Sequence, residues 1–256
     1  MPFKKMEIVI LGSGTGVPSL RRGAPGLLVK AGHDYLLFDT GPGTIKKLLE
    51  IGLTYHDITR IFYTHFHTDH TLDLAAILFA AKYGLSLRKQ ELQVIGPQGL
   101  GHFYKGLLGL YGQVIIPEAY QLKLQEIGPG DELNFDAYNI LTRKMQHCPE
   151  SLAYRLEANG KSMVYSGDTA DCEEIVELGQ NADILILECS FPNRIKVAGH
   201  LIPEQAATIA RKCNCKKLVL THLYPVCEQA QILEQAKKEF SGEIVVASDL
   251  MSIKLI

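Results

Sequence analysis

Short apolar runs recur along the whole chain and set its rhythm of elements. They are Ile8 to Leu11, Tyr35 to Phe38, Ile61 to Thr64, Leu92 to Ile95, Met163 to Ser166, Ile184 to Leu187, and Leu218 to Thr221. Each is four residues long, too short for an independent helix and suited to a strand buried on both faces. The polar stretch Asn139 to Gln146 also reads as a strand, and Ser151 to Ser166 is strand-rich. Helical patterns lie between them at Gly43 to Ile51, Leu72 to Tyr83, Pro203 to Cys213 and Glu228 to Phe240, with Pro203 suited to a first turn. This order predicts an α/β (α+β) protein: a four-layer αβ/βα sandwich, two mixed sheets with helices on the outer faces, in a single domain spanning residues 1–256.

Composition narrows the function classes. Hydrophobic residues make up 46% and charged residues 21% of 256, ordinary for a globular protein that is not embedded in a membrane. No apolar run approaches the roughly 20 residues that span a bilayer, and no signal stretch opens the sequence, which predicts a cytoplasmic protein without a membrane partner. The net charge of −2 supplies no global field for gripping a nucleic-acid backbone. Arg21, Arg22 and Lys30 remain as a local basic group. The six cysteines form no CxxC pair and read as reduced thiols. The apolar stretch Leu107 to Tyr111 is either core or a homodimer interface.

Chemistry enters with the run His65-Phe66-His67-Thr68-Asp69-His70, directly after a strand. Histidine and aspartate are poor core residues unless paired or metal-bound, so four of them within six positions point to a metal site. An extended chain would send His65, His67 and Asp69 to one side, and a helix starting at His70 would bring that ring back. Three more ligand-type residues end predicted strands: His147, Asp168 and His222. In this reading His65, His67 and His147 hold one ion, Asp69, His70 and His222 hold a second, and Asp168 bridges them. Imidazoles with carboxylates and no thiolate suit two zinc ions, with manganese or iron as alternatives. Two ions roughly 3.5–4 Å apart clamp an oxyanion and lower the pKa of a bridging water, giving a hydroxide nucleophile and a hydrolase.

Several neighbours have more than one reading. His200, in a loop before the Pro203 helix, is a candidate general acid or an electrophile toward a phosphate oxygen. Glu188, at a strand end, is a candidate for orienting it. Asp39 either caps a helix or accepts a hydrogen bond from a metal-bound imidazole. Gly12-Ser13-Gly14-Thr15-Gly16 lacks the GxGxxG spacing and reads as a turn passing close to the site. His33, His56 and His102 read as surface residues, and the loops Val17 to Pro25, Leu85 to Glu91 and Phe191 to Ala198 as the substrate surround.

HxHxDH at 65–70, then His147, Asp168 within Ser-Gly-Asp-Thr, and His222 within Leu-Thr-His-Leu resemble the ligand series of the metallo-β-lactamase superfamily, in type and in order. Leu-Gly-Ser-Gly-Thr-Gly-Val-Pro-Ser, Phe-Asp-Thr-Gly-Pro-Gly-Thr, Leu187 to Phe191 and Gly199-His200-Leu201 are similar to motifs of its ribonuclease Z-like phosphodiesterase branch. The resemblance implies two zinc ions at one edge of the sandwich, Asp69 doubling as a water-orienting base, and a phosphodiester substrate, either an RNA 3′ end or a small molecule. Aspartate rather than cysteine at 168 argues against a true β-lactamase. One departure stands out: only 20 residues separate His147 from Asp168, where the branch carries a long arm that grips transfer RNA. That brings a cyclic-nucleotide or small-phosphodiester phosphodiesterase into contention. Arylsulfatase, thioester or lactone hydrolase, and a non-catalytic metal-binding regulatory protein are further alternatives.

Overall fold

The computed structural model describes residues 6–255. One seven-stranded sheet holds β1 (Met6–Gly12), β2 (Gly26–Ala31), β3 (Asp34–Phe38), β4 (Arg60–Phe62), β5 (Leu92–Pro97) and β6 (Leu122–Ile127), with β14 (Met251–Leu255) outside β1. The other runs in chain order from β7 (Glu132–Asn134) through β8 (Asn139–Lys144), β9 (Leu152–Ala158), β10 (Lys161–Tyr165), β11 (Ile184–Glu188) and β12 (Lys217–Thr221) to β13 (Glu243–Val246). Both are mixed: β3 to β6 pair in parallel, as do β10 to β13, and the remaining strands pair antiparallel.

Strand periodicity explains why these runs contain no polar side. Ile8, Ile10, Met163, Tyr165, Ile184 and Ile186 point into the layer between the sheets. Their alternates Val9 and Leu11 face the outer layer of the first sheet, and Val164, Leu185 and Leu187 that of the second. Phe38 stacks on Phe62 at 4.9 Å, and Tyr154 meets both edge-on, tying the two sheets together at their centre. Helices α1 (Thr44–Glu50), α3 (Asp73–Tyr83) and α4 (Leu100–Tyr111) cover one outer face. On the other lie α5 (Glu173–Leu178), α6 (Pro203–Lys212) and α7 (Ile232–Ala236). A one-turn helix, α2 (Thr68–Thr71), sits between β4 and α3. The result is the expected four-layer sandwich. Among the described residues no helix is long and apolar enough to cross a membrane.

The helix expected over Glu228 to Phe240 forms only in its middle. Pro225–Gln229 is a 3₁₀ turn, because Glu228 is drawn aside by Arg21 and Arg22 and the chain breaks at Gln231 before α7. Those pairings also tie Arg21 and Arg22 of the local basic group to a carboxylate. The stretch Leu107 to Tyr111 ends α4: Leu107 and Leu108 pack on the outer core, whereas Leu110 and Tyr111 are exposed.

The loop Leu85 to Glu91 cannot surround a substrate at the metal cluster. It leads into the start of β5, beside Arg60 at the start of β4, whereas β4 runs toward His65 at its other end. Its fixed point is Arg88, which is only 1% exposed. The guanidinium donates to the carbonyls of Tyr55, Ile58, Gln90 and Glu91 at 2.6 to 2.7 Å. Replacing Arg88 with methionine strands these buried acceptors and should cost about 3 kcal/mol of unfolding free energy, read by denaturant titration, with metal content unchanged. A loss below about 0.5 kcal/mol would show that water replaces the guanidinium.

Candidate metal centre

Parallel pairing delivers the ligands to one edge. Phe38 pairs with Phe62, so the turns after β3 and β4 sit side by side, carrying Asp39 and His65. Across the sandwich the aligned ends of β10, β11 and β12 carry Asp168, Glu188 and His222, and the turn after β8 carries His147. This follows the general placement of reactive groups beyond the carboxyl ends of parallel strands. Pairing ends at Phe62, so the 65–70 run is loop and one-turn helix rather than extended strand. Asp69 and His70 are therefore swung into place by α2, and not by alternation. The backbone N–H of Thr40 donates to the His70 carbonyl at 2.6 Å and fixes that turn against β3.

Two groups of donor atoms converge, each within 4.8 Å: His65, His67, His147 and Asp168 in one, Asp69, His70 and His222 in the other; a third, Asp168, His200 and His222, overlaps them. His147 Nε2 lies 3.1 Å from His67 Nδ1, and His70 Nε2 lies 3.3 Å from His222 Nε2. Asp168 faces both: Oδ1 is 3.3 Å from the Nε2 atoms of His70 and His222, and Oδ2 is 3.7 Å from His147 and 3.9 Å from His65. His67 is exposed, which leaves the cluster open on its side.

The opposite ring nitrogens show which lone pairs point inward. His70 Nδ1 donates to the Asp39 carboxylate at 2.8 Å, and His147 Nδ1 to the Gly199 carbonyl at 3.0 Å. The Thr64 hydroxyl gives its proton to Asp39 and so accepts from His65 Nδ1 at 3.0 Å. Ser190 gives its proton to Glu188 at 2.6 Å and so accepts from His222 Nδ1 at 2.9 Å. All four Nε2 atoms are thereby left as acceptors aimed at one another. His65 Nε2 and Asp168 Oδ1 are buried without a hydrogen-bond partner. Orphaned lone pairs facing a carboxylate are costly unless a cation joins them, so the residues present fit a metal pair. Burial opposes charge on His70, yet flanking Asp168 and Asp39 pull its imidazole well above the usual range. His70 reaches the acceptor state only by shedding a proton, which a bound metal would displace. Burial raises Asp69, but His222 and His70 outweigh it and hold the carboxyl well below its usual range.

Local backbone strain marks the same residues. Asp39 and His222 adopt left-handed conformations with φ of 60° and 55°. Asp39 is held there by Thr64 N–H, Thr64 hydroxyl, Tyr165 hydroxyl and His70, so it orients an imidazole and caps no helix. Asp39→Asn keeps the shape and tolerates that φ, but loses the charge. Metal affinity should fall about 10- to 100-fold in a chelator competition, and an unchanged affinity would reject the orienting role.

His200 stands beside this cluster. Its Nδ1 donates to Glu188 Oε1 at 2.9 Å, and its ring lies parallel to His222 at 5.9 Å. Glu188, 1% exposed, also accepts from Thr169 N–H, Leu201 N–H and Ser190 hydroxyl, so it cannot turn away. Burial lowers His200, but Glu188 overrides this and holds the imidazole above its usual value. Gly16 N–H donates to Asp69 at 3.0 Å, so the glycine-rich turn does pass the site. His102 and His33 are exposed and His56 partly so, all outside the cluster. Sequence reasoning missed Thr64, Ser190 and Tyr165. Their only signal is position, one residue before a ligand, two after Glu188, or three before Asp168.

The segment between His147 and Asp168 is the β9–β10 hairpin, closed by Asn159-Gly160 with φ of 54° and 72°. Two left-handed residues make the tightest of hairpin turns, and nothing protrudes there.

The geometry can be set against known proteins. Ribonuclease Z of Archaeoglobus fulgidus is 27% identical, covering 97% of each chain, and that of Mycobacterium bovis is 26% identical, covering 98% of each. The Archaeoglobus alignment runs over 305 positions against 256 residues here, so that relative carries insertions this chain lacks. Among solved structures, the metallo-β-lactamase fold protein YhfI of Bacillus subtilis superposes with a TM-score of 0.87 at 24% identity, covering 98% and 99% of the chains. The short form of human tRNase Z gives 0.79 at 27%, covering 96% and 98%. A family model described as a β-lactamase superfamily domain matches residues 34–223, most of the sequence: the chain belongs to the β-lactamase superfamily, on the side of its ribonuclease Z-like members.

Proposed function

We propose that this chain is a dinuclear zinc-dependent phosphodiesterase of one domain, working in a reducing compartment such as the cytoplasm, on small phosphodiesters. The observation that carries the reading is the double convergence on Asp168, with orphaned lone pairs on both sides. His65, His67 and His147 would hold one ion, Asp69, His70 and His222 the other, and Asp168 both. Bound there, two such ions supply an activated water and neutralise the phosphate oxygens.

The chain's own residues do the rest. Asp69 Oδ2, fixed by Gly16 N–H, orients the attacking water. His200 donates a proton from Nε2 to the leaving oxygen, and Glu188 holds the ring at Nδ1 for that task. Asp39, Thr64, Ser190 and the Gly199 carbonyl keep the other imidazoles in register.

The compact hairpin between His147 and Asp168 favours small substrates, because the described residues there form no arm to hold a folded RNA. A second reading, an RNA 3′-end endonuclease, is favoured by relatives that are named ribonuclease Z and match end to end. Zinc-loaded protein should hydrolyse bis(p-nitrophenyl) phosphate and a small nucleotide diester, and leave a 3′-extended transfer RNA uncut. Cleavage of the RNA would select the second reading. Turnover of only thioesters or aryl sulfates would overturn both.

A further inference from the structure

Two aromatic side chains beside the metal cluster have no structural employment. Phe191 follows β11 and Tyr224 follows His222, and their rings stack at 4.5 Å with an interplanar angle of 23°. Both are partly exposed, and neither packs into any of the three hydrophobic cores. The other stacked pair near the site, Phe66 on Phe103, behaves differently, since both of its rings lie against the outer core of the first sheet. The free pair adjoins the reacting edge. Tyr224 meets the rings of His200 and His222 edge-on at 6.3 and 6.2 Å, and Phe191 meets His200 edge-on at 6.0 Å.

A second observation comes from the same loop. Arg194 and Lys196 are exposed and enter no ion pair among the described residues. Aromatic faces next to free cations form the surface that single nucleotides and unpaired strands use: rings for the base, cations for phosphate or ribose oxygens. Stacking tolerates every base, because each has a π-face.

We infer that Phe191 and Tyr224 form a stacking platform for a nucleobase, placing a nucleoside on the His200 side of the metal cluster. The inference rests on the phosphodiesterase reading and narrows its substrate class to nucleotide diesters. It makes Tyr224 a specificity residue, and the group that leaves toward His200 the nucleoside.

The test is calorimetry on zinc-loaded protein with adenosine 5′-monophosphate and with ribose 5-phosphate, which lacks only the base. The wild-type protein should bind the nucleotide about 10- to 100-fold more tightly. Tyr224→Leu should bring the two ligands within about threefold, leaving ribose 5-phosphate affinity and metal content as they were. Phe191→Leu, measured the same way, covers the case in which the first variant folds poorly. Equal affinities in the wild-type protein, or an unchanged ratio in folded variants, would overturn the platform. Bis(p-nitrophenyl) phosphate separates the two readings. Turnover of that diester without a nucleotide preference removes the platform alone. A nucleotide preference without any diester turnover removes the phosphodiesterase reading and leaves the platform as a binding site.

Discussion

Replacing Asp168 with alanine is expected to strip the protein of metal and of phosphodiester turnover together. The side chain is 3% exposed and is the one carboxylate within reach of both histidine groups. Its Oδ1 faces His70 and His222 and its Oδ2 faces His147 and His65. With it gone, the first group is left with three imidazoles and no counter-charge, and the second keeps only Asp69. Burial already holds the His65 imidazole well below its usual pKa, reinforced by neighbouring His70, so that ring is a neutral dipole and cannot balance a dication. Turnover should fall by more than roughly 10⁴, beyond what loss of a proton donor alone accounts for. Elemental analysis after gel filtration, run beside hydrolysis of bis(p-nitrophenyl) phosphate, measures both effects. Two tightly bound metals per chain in the variant would reject the bridging assignment.

That site was largely legible in the sequence because its chemistry is concentrated in residue types the core avoids. Four ligands share six positions, and His147, Asp168 and His222 each end a strand-like run. Type and place together were enough to group them. The manner of delivery was not legible. Alternation suggested that an extended chain presents His65, His67 and Asp69, whereas pairing stops at Phe62 and α2 turns Asp69 inward. A strand's end depends on where its partner stops, and local sequence does not record that.

The orienting residues were harder still. Thr64 and Ser190 look like any hydroxyl beside a strand, and their roles follow from which atom receives their single proton, Asp39 in one case and Glu188 in the other. Arg88 lies in the Leu85 to Glu91 loop, which in sequence reads as substrate surround, and is buried instead, since the carbonyls it collects come from a segment more than 30 residues away as well as its own turn. Phe191 was legible only as the start of a substrate-surrounding loop, and its stacking with Tyr224 was hidden for the opposite reason. Aromatic residues in sequence are assigned to cores by default, and only the three-dimensional packing shows that these two belong to none.

His200→Ala separates proton donation from metal binding. Its ring atoms come within 4.8 Å of those of Asp168 and His222, so position alone allows it to be a ligand. Its Nδ1, however, is committed to Glu188, and the six other ligand-type side chains around Asp168 already complete two groups. The variant should keep both metals and lose turnover by on the order of 10² to 10⁴, the range for a positioned general acid. The pH profile carries the sign. Burial lowers the His200 pKa but Glu188 raises it further, so the protonated form persists above the ordinary histidine value of 6.5. Turnover that needs this proton is therefore full below the raised value and falls as pH climbs through it. Glu188→Gln removes the charge that lifts the pKa, leaving burial to dominate, and should move the alkaline limb to lower pH with metal content retained. A leaving group as acidic as p-nitrophenol needs little protonation, so the deficit should be larger for a diester with an alkyl leaving group. Equal losses on both substrates, or a metal-depleted His200→Ala protein, would assign His200 to the ligand set instead.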